Sequence, residues 1–171
     1  GAIIGAIAGA YIYCRDKKMS IVRFLDIGAL GLMIGQAIGR WGNFFNQEAF
    51  GSNTDLPWGM MSYSTIYYIS DNDYLGGTVS AYAPVHPCFL YESLWCIAGF
   101  FLLHHFSKKR LFSGQMVLMY GVWYGFGRGF IELLRTDSLM LGKIKVSSLL
   151  SFALCLGAGA LLYAFTKKAK N

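Results

Sequence analysis

Polar residues concentrate in three short stretches of an otherwise apolar sequence. The first is GRWGNFFNQEAFG at 39–51, the second is HPCFLYE at 86–92, and the third is YGFGRGFIELLR at 124–135. Their polar side chains are Arg40, Asn43, Asn46, Glu48, His86, Glu92, Tyr124, Arg128, Glu132 and Arg135. A guanidinium stays charged in any protein setting, and its planar fork matches the oxygens of a phosphate. If two or three of these arginines converge in a low-dielectric pocket with only two carboxylates, Glu92 and Glu132, the pocket favours an anionic ligand.

The third stretch places its polar residues on one side of a helix. Tyr124, Arg128, Glu132 and Arg135 follow one another at spacings of four, four and three residues, which puts them on one face. Ionisable groups inside a membrane are costly, so each needs a partner or a task. One interpretation is an ion-pair ladder that only orients helices. Convergence with Arg40 from a separate segment would instead favour a binding site.

Apolar runs must position these residues. Four of them, at 21–39, 88–106, 114–134 and 146–165, approach the ~20 residues that a helix needs to cross the hydrocarbon core. With 55% hydrophobic and 14% charged residues, the sequence is too apolar for an ordinary soluble domain. A fifth run at 1–14 would rise about 21 Å as a helix, short of the ~30 Å core. We predict an all-α polytopic membrane protein with five transmembrane helices, preceded by a missing N-terminal segment.

Basic residues alternate with these runs. They form three clusters, Arg15/Lys17/Lys18/Arg23, Lys108/Lys109/Arg110 and Lys167/Lys168/Lys170. All three fall on one side of the predicted topology, as cytoplasmic loops require. The net charge of +6 therefore indicates membrane orientation, with a cytoplasmic C-terminus, and predicts no nucleic-acid partner.

This topology divides the chain into three predicted parts. Residues 1–51 hold the first two spans and the first polar stretch, 52–87 form a small outward-facing head, and 88–171 hold the last three helices. Within the head, β-like runs are predicted around 61–69 and 77–82.

Other residues predict helix contacts. Glycines recur at every fourth position at Gly1/Gly5/Gly9 and Gly31/Gly35/Gly39, a spacing typical of close packing in membranes. Gly125, Gly127 and Gly129 serve either packing or close approach of a ligand. Asp26, near the inner end of its span, is predicted to pair with Arg23 or another basic residue. No cysteine spacing indicates a zinc site, so no metal is predicted.

The three polar stretches resemble the signatures of the prolipoprotein diacylglyceryl transferase family. Residues 39–51 match G-R-x-G-N-F-x-N-x-E-x-x-G and 86–92 match H-P-x-x-L-Y-E. Residues 124–135 match Y-G-x-x-R-x-x-x-E-x-x-R, and Asp137 follows two residues after Arg135, close to an aspartate of the family signature. The motifs stand in the family's order and cover nearly the whole chain.

The resemblance implies a seven-span fold in the bacterial inner membrane, of which the spans here would be the last five. It implies transfer of a diacylglyceryl group from phosphatidylglycerol to the lipobox cysteine in a prolipoprotein signal peptide, with release of glycerol phosphate. No cofactor is implied, because the phospholipid carries its own leaving group. An essential family histidine in a His-Gly element would precede Gly1.

Carried over to this sequence, the catalytic residues would be Arg40, Arg128 and Glu132. The two arginines would bind the phosphate and stabilise the leaving group, and Glu132 would orient Arg128 or Arg135. Asn43 would donate a hydrogen bond to the headgroup or position Arg40.

The remaining substrate-binding candidates keep more than one interpretation. Tyr124 would line the pocket, which Glu92 would share. Asn46 and Glu48 would either contact substrate or shape the turn after the second span. His86 would either replace the missing histidine or begin a helix before Pro87.

Two other functions are compatible with charged residues in spans. A transporter would use them around a midplane site, although they lie toward one face here and no internal repeat is apparent. A structural membrane subunit would explain the glycines but not the convergence of Arg40, Asn43 and Arg128.

Overall fold

The chain folds as a set of helices with one small hairpin. The computed structural model describes residues 1–71, 79–136, 140–141 and 144–170. Its elements in chain order are α1 (Ala2–Asp16), α2 (Ile21–Phe45), α3 (Tyr63–Asp71), α4 (Cys88–Ser107), α5 (Gln115–Leu134), β1 (Met140–Leu141), β2 (Ile144–Lys145) and α6 (Val146–Lys170). Strands β1 and β2 pair antiparallel, an addition to the predicted all-α class.

Three helices, α2, α4 and α6, are long and apolar enough to cross a membrane. They contain the predicted runs at 21–39, 88–106 and 146–165, so the chain is a polytopic membrane protein. Helix α5 has nearly the predicted bounds of the remaining long run, while α1 has 15 residues. For these two helices, spanning stays a prediction.

Helices α2, α4 and α5 share one core. It is formed by Ala29, Met33 and Ala37 of α2, Cys96 and Leu103 of α4, and Met116 of α5. Trp95 of α4 and Trp123 of α5 stack with ring centroids 4.3 Å apart. Each indole Nε1 donates to the other residue's carbonyl oxygen at 2.9 Å. This reciprocal pair fixes the register of α4 against α5.

Glycines in α5 allow its neighbours to approach closely. A Cβ at Gly125 would lie 2.6 Å from the carbonyl oxygen of Ser151 in α6. At Gly127 it would collide with the Trp95 indole ring, and at Gly129 it would lie 2.7 Å from the Phe152 ring. Of the two predicted roles for these glycines, the structure shows packing.

The fourfold glycine spacing in α1 and α2 does not mark helix contacts within the part of the chain that the structure describes. Among the described residues, no heavy atom beyond the local chain lies within 4 Å of a Cβ built at Gly1, Gly5, Gly9, Gly31, Gly35 or Gly39. Instead, an apolar groove of about 570 Å³ runs between α1 and α2, with Gly31 and Gly35 in its wall. Small residues permit close approach but do not select the helix that approaches.

The predicted strand around 61–69 was also wrong, because α3 occupies this segment. The Ser62 hydroxyl accepts a hydrogen bond from the Thr65 amide at 3.2 Å and so caps the helix start. This local cap outweighs the β-propensity of the tyrosines and isoleucines. The other predicted strand, 77–82, lies partly outside the described residues, and its described part, 79–82, forms turns and bends.

Asp26 is a structural partner, as predicted, but of a different group. Its carboxylate accepts hydrogen bonds from the backbone amides of Gly114 at 2.8 Å, Met116 at 2.9 Å and Val117 at 3.2 Å. These amides begin α5, where helical N–H groups lack partners within the helix. The predicted ion pair with Arg23 is therefore replaced by a cap that joins α2 to α5.

Candidate functional site

One carboxylate joins two arginines where α2, α4 and α5 converge. Glu92 Oε1 of α4 lies 2.7 Å from Arg40 Nη2 of α2, and Glu92 Oε2 lies 2.8 Å from Arg128 Nη1 of α5. The Glu92 side chain is 3% exposed, against 23% for Arg40 and 15% for Arg128. The carboxylate is therefore enclosed, whereas both guanidiniums keep an accessible side.

Among the described residues, the second carboxylate pairs with Arg128 of its own helix and with Arg135, which was predicted on the same helix face but follows the last residue of α5 in an extended conformation. Glu132 Oε2 lies 2.7 Å from Arg128 Nη2 and 3.7 Å from Arg135 Nη1, at the predicted spacings of four and three residues. The closer contact is an ion pair without the alignment of a hydrogen bond. Glu132 thus pairs with one terminal nitrogen of Arg128 while Glu92 pairs with the other.

A tyrosine closes the arrangement. The Tyr124 hydroxyl accepts a hydrogen bond from Arg40 Nη2 at 3.4 Å and donates one to Glu92 Oε1 at 3.3 Å. Its ring stacks on Tyr120, with centroids 5.6 Å apart, and the Tyr120 hydroxyl accepts from Gln36 Nε2 at 2.8 Å. The polar chain therefore extends one turn along α2 from Arg40, to Gln36 in the wall of the α1–α2 groove.

These six predicted residues form what we call the arginine cluster: Arg40, Glu92, Tyr124, Arg128, Glu132 and Arg135. Its three guanidiniums and two carboxylates leave one net positive charge. In the low dielectric of a bundle, this excess favours a monoanionic ligand such as a phosphodiester. Among the described residues, no group of three His, Cys, Asp or Glu side chains is placed to share a metal ion.

The first stretch contributes other residues outside the cluster. Asn43 lies one turn after Arg40, and its side chain makes no hydrogen bond within the described residues; its carbonyl oxygen accepts from the Glu48 amide at 3.0 Å. Asn46 Nδ2 donates to Glu48 Oε1 at 3.0 Å, both exposed. This pair spans a turn in which Gln47 and Ala49 have positive φ angles of 57° and 59°, so its geometry fits the turn-shaping interpretation.

His86 belongs to a different contact at the edge of the head. Its Nδ1 lies 3.0 Å from the Tyr91 hydroxyl, which also accepts a hydrogen bond from Trp58 Nε1 at 3.0 Å. His86 precedes Pro87 at the start of α4, the position that the structural interpretation gave it.

The ends of the three polar stretches meet through their backbones. The Gly51 amide donates to the His86 carbonyl oxygen at 2.9 Å, and the Ser52 amide donates to that of Leu134 at 3.1 Å. A Cβ at Gly51 would lie 2.8 Å from the Cβ of His86, which explains the glycine. This junction ties the end of the first stretch to the C-terminal end of α5.

Sequence reasoning missed Lys145. Its Nζ donates to the carbonyl oxygens of Glu132 at 3.0 Å, of Leu133 at 3.1 Å and of Arg135, where helical C=O groups lack partners. The β1–β2 hairpin brings Lys145 back to this helix end, and no local sequence pattern predicts this contact. Asp137, which follows the third motif, lies outside the described residues.

Comparison with known proteins gives one consistent result. A family model described as prolipoprotein diacylglyceryl transferase matches residues 1–164. The chain is 44% identical over 164 residues to a protein of Listeria innocua, 45% identical over 165 residues to one of Ligilactobacillus salivarius, and 40% identical over 171 residues to one of Clostridioides difficile. Each of these relatives bears the name phosphatidylglycerol–prolipoprotein diacylglyceryl transferase.

The alignments cover most of this chain and part of each relative. They include 95%, 95% and 100% of the chain, but 57%, 59% and 62% of the three relatives. The chain therefore spans about three fifths of the length of the curated relatives it matches.

Proposed function

This chain belongs to the prolipoprotein diacylglyceryl transferase family, and from that membership we propose that it transfers a diacylglyceryl group from phosphatidylglycerol to the lipobox cysteine of a prolipoprotein. In this reaction the thiol loses its proton and its sulfur attacks the glycerol carbon that bears the phosphate. A C–S bond forms, the C–O bond to phosphate breaks, and glycerol phosphate leaves with an additional negative charge. Stabilising that charge is the main electrostatic task of the site.

One observation carries the proposal: guanidiniums from two different helices, Arg40 and Arg128, already hold the two oxygens of one carboxylate. A phosphodiester presents two anionic oxygens in a similar fork. Arg40 and Arg128 bind the phosphate in this proposal, and they strengthen their contacts as the leaving group gains charge. Glu132 orients Arg128, and Tyr124 lines the phosphate site.

The other predicted residues have supporting roles in the proposal. Asn43, with an uncommitted side chain one turn from Arg40, donates a hydrogen bond to the lipid headgroup. Arg135 adds positive charge beyond Glu132. Asn46 and Glu48 shape the turn that leads α2 into the head, and His86 fixes the head to the start of α4 through Tyr91.

We place the cluster in the outer half of a bacterial cytoplasmic membrane. Arg40 lies near the end of α2, Glu92 near the start of α4 and Arg128 in the last third of α5, so all three lie on the side of the head. Five spans with the basic clusters facing the cytoplasm put this side outward, where lipobox cysteines become accessible. The position near one end of the bundle is less suited to a transport path.

A transfer assay tests the function. The protein is reconstituted in liposomes that contain phosphatidylglycerol and is incubated with a lipobox peptide, and mass spectrometry monitors the peptide. We expect the mass of one diacylglyceryl group on the cysteine, and no product with phosphatidylcholine alone or with a peptide that carries serine instead of cysteine. An unmodified cysteine in the complete mixture, with folded protein, contradicts the proposal.

A further inference from the structure

Glu92 occupies the position that the proposed function gives to a phosphate. Its two oxygens contact Arg40 at 2.7 Å and Arg128 at 2.8 Å, one guanidinium for each oxygen. A phosphodiester cannot contact the same N–H groups while the carboxylate remains on both. Substrate binding must therefore move Glu92, move the arginines, or use their other donors.

The two carboxylates of the arginine cluster differ in whether they can separate from the arginines. Glu132 lies on the same helix as Arg128, four residues away, a spacing that keeps the two side chains adjacent in any position of α5. Glu92 comes from a third helix and joins arginines of two others. Only for Glu92 does separation from the arginines leave every helix intact.

A partner is already available for a released Glu92. The Tyr124 hydroxyl donates to Glu92 Oε1 at 3.3 Å while also contacting Arg40 at 3.4 Å. Both distances lie beyond the usual 2.5–3.0 Å of an O–H···O bond or about 2.9 Å of an N–H···O bond. When an anion takes Arg40, the hydroxyl can turn fully to the carboxylate and shorten this bond.

The accessible side of the cluster belongs to the arginines. Arg40 is 23% exposed and Arg128 15%, whereas Glu92 is 3% exposed. An incoming anion therefore meets guanidinium before it meets carboxylate.

We propose that Glu92 is a displaceable counter-ion, which holds Arg40 and Arg128 in place of the phosphate and passes to Tyr124 when the lipid binds. This role rests on the proposed function only for the identity of the anion. It makes Glu92 a positioning residue that keeps the arginines preorganised and excludes lipids without an anionic phosphate. On product release, the returning carboxylate competes glycerol phosphate off the arginines.

The test is a binding measurement that needs no peptide. The dissociation constant of glycerol phosphate is measured by calorimetry for detergent-solubilised wild type, Glu92→Gln and Glu132→Gln. We expect Glu92→Gln to bind at least about tenfold more tightly, because the resident competitor has lost its charge. Glu132→Gln should change binding less, because Glu132 does not occupy the phosphate position. Weaker or unchanged binding by Glu92→Gln, or equal tightening by both variants, overturns the proposal.

A second variant applies if Glu92→Gln does not fold. Tyr124→Phe removes only the hydroxyl that receives the displaced carboxylate, so glycerol phosphate binding should weaken several-fold; unchanged affinity overturns the transfer to Tyr124. Where both variants fold, the Tyr124→Phe effect should disappear in the Glu92→Gln background, and its persistence at full size also counts against the transfer.

The transfer assay gives a separate result for the reaction. If Glu92→Gln tightens glycerol phosphate binding but wild type fails to modify the peptide, the counter-ion role stands and the transferase function fails. If wild type modifies the peptide but Glu92→Gln does not bind glycerol phosphate more tightly, the transferase function stands and the counter-ion role fails.

Discussion

Two buried carboxylates of the bundle, Asp26 and Glu92, are stabilised in opposite ways. Asp26 accepts hydrogen bonds from three backbone amides at the start of α5. Glu92 is held by the ends of two long side chains, Arg40 and Arg128. Both residues are at most 2% exposed, so both would be costly without these partners.

The difference lies in what the partners can do next. Backbone amides at a helix start cannot turn away unless the helix moves, so Asp26 is a permanent joint between α2 and α5. Guanidiniums can exchange one oxyanion for another, because each carries five N–H donors. Burial of a carboxylate alone therefore does not mark a reactive site; the mobility of its partners separates the joint from the candidate site.

The largest loss of activity is expected at Arg128, whose guanidinium can exchange Glu92 for another anion. Arg128→Lys keeps the charge but loses the fork that serves Glu92, Glu132 and the substrate phosphate together. We expect kcat/KM for diacylglyceryl transfer to fall by about 10²–10³, the loss typical when a transition-state donor is removed.

The matched control is Arg110→Lys, the same change at an exposed loop position. Its kcat/KM should stay within twofold of wild type. Wild-type activity in folded Arg128→Lys would remove Arg128 from the phosphate site.

A smaller effect is expected at Asp26, which joins α2 to α5, and it should lower stability without lowering activity. Asp26→Asn retains the shape of the side chain but places an amide donor against backbone N–H groups. We expect a loss of about 2 kcal/mol in unfolding free energy, as for hydrogen bonds to a charged group, with kcat of the folded protein unchanged.

Thermal unfolding in detergent measures this loss, with Asp16→Asn as control. Asp16 pairs with Lys17 on the surface, where both side chains are more than half exposed, so its change should be near zero. A large fall in kcat for Asp26→Asn without loss of stability would give Asp26 a functional role.

A third pair of expected effects, also on stability, compares a glycine of α5 packed against α4 with a glycine of α2 in open space. A methyl group at Gly127 would collide with the Trp95 ring, which should destabilise the protein by about 1–3 kcal/mol through overpacking. Gly31→Ala adds the same methyl group in open space and should stabilise α2 by about 0.5–1 kcal/mol.

Comparison of the two unfolding midpoints checks both signs. Destabilisation by Gly31→Ala would show that another segment packs on this face of α2. If Gly127→Ala leaves the unfolding midpoint unchanged, the Trp95–Trp123 contact does not set the register of Glu92 against Arg128.

The sequence was informative where one helix period or one membrane thickness decides the outcome. The spacing of Tyr124, Arg128 and Glu132 predicted their shared face, and the apolar runs predicted where α2, α4 and α6 begin, although α2 and α6 extend past the predicted ends. The convergence of Arg40 with Arg128, which the interpretation as a binding site required, takes place on Glu92. These features depend on rise per residue and on the cost of charge in lipid.

The sequence was uninformative where a residue could contact any of several partners that are distant in sequence. Nothing local shows that Asp26 caps α5 instead of pairing with Arg23, or that Lys145 returns to the end of α5 through a hairpin. Nor does the sequence show which glycines meet a neighbouring helix: among the described residues, Gly125, Gly127 and Gly129 of α5 do, whereas Gly31, Gly35 and Gly39 of α2 do not. In α3, a single cap at Ser62 outweighed the β-propensity of the segment.

The central claim is that Arg40 and Arg128 together hold the lipid phosphate. Solid-state NMR on protein with ¹⁵N-labelled arginine side chains, reconstituted with phosphatidylglycerol, measures ¹⁵N–³¹P dipolar coupling directly. Two guanidinium signals should lose intensity through coupling to phosphorus, and they should be those missing from the spectra of Arg40→Lys and Arg128→Lys. Coupling to neither signal, or to only one of them, would contradict the account.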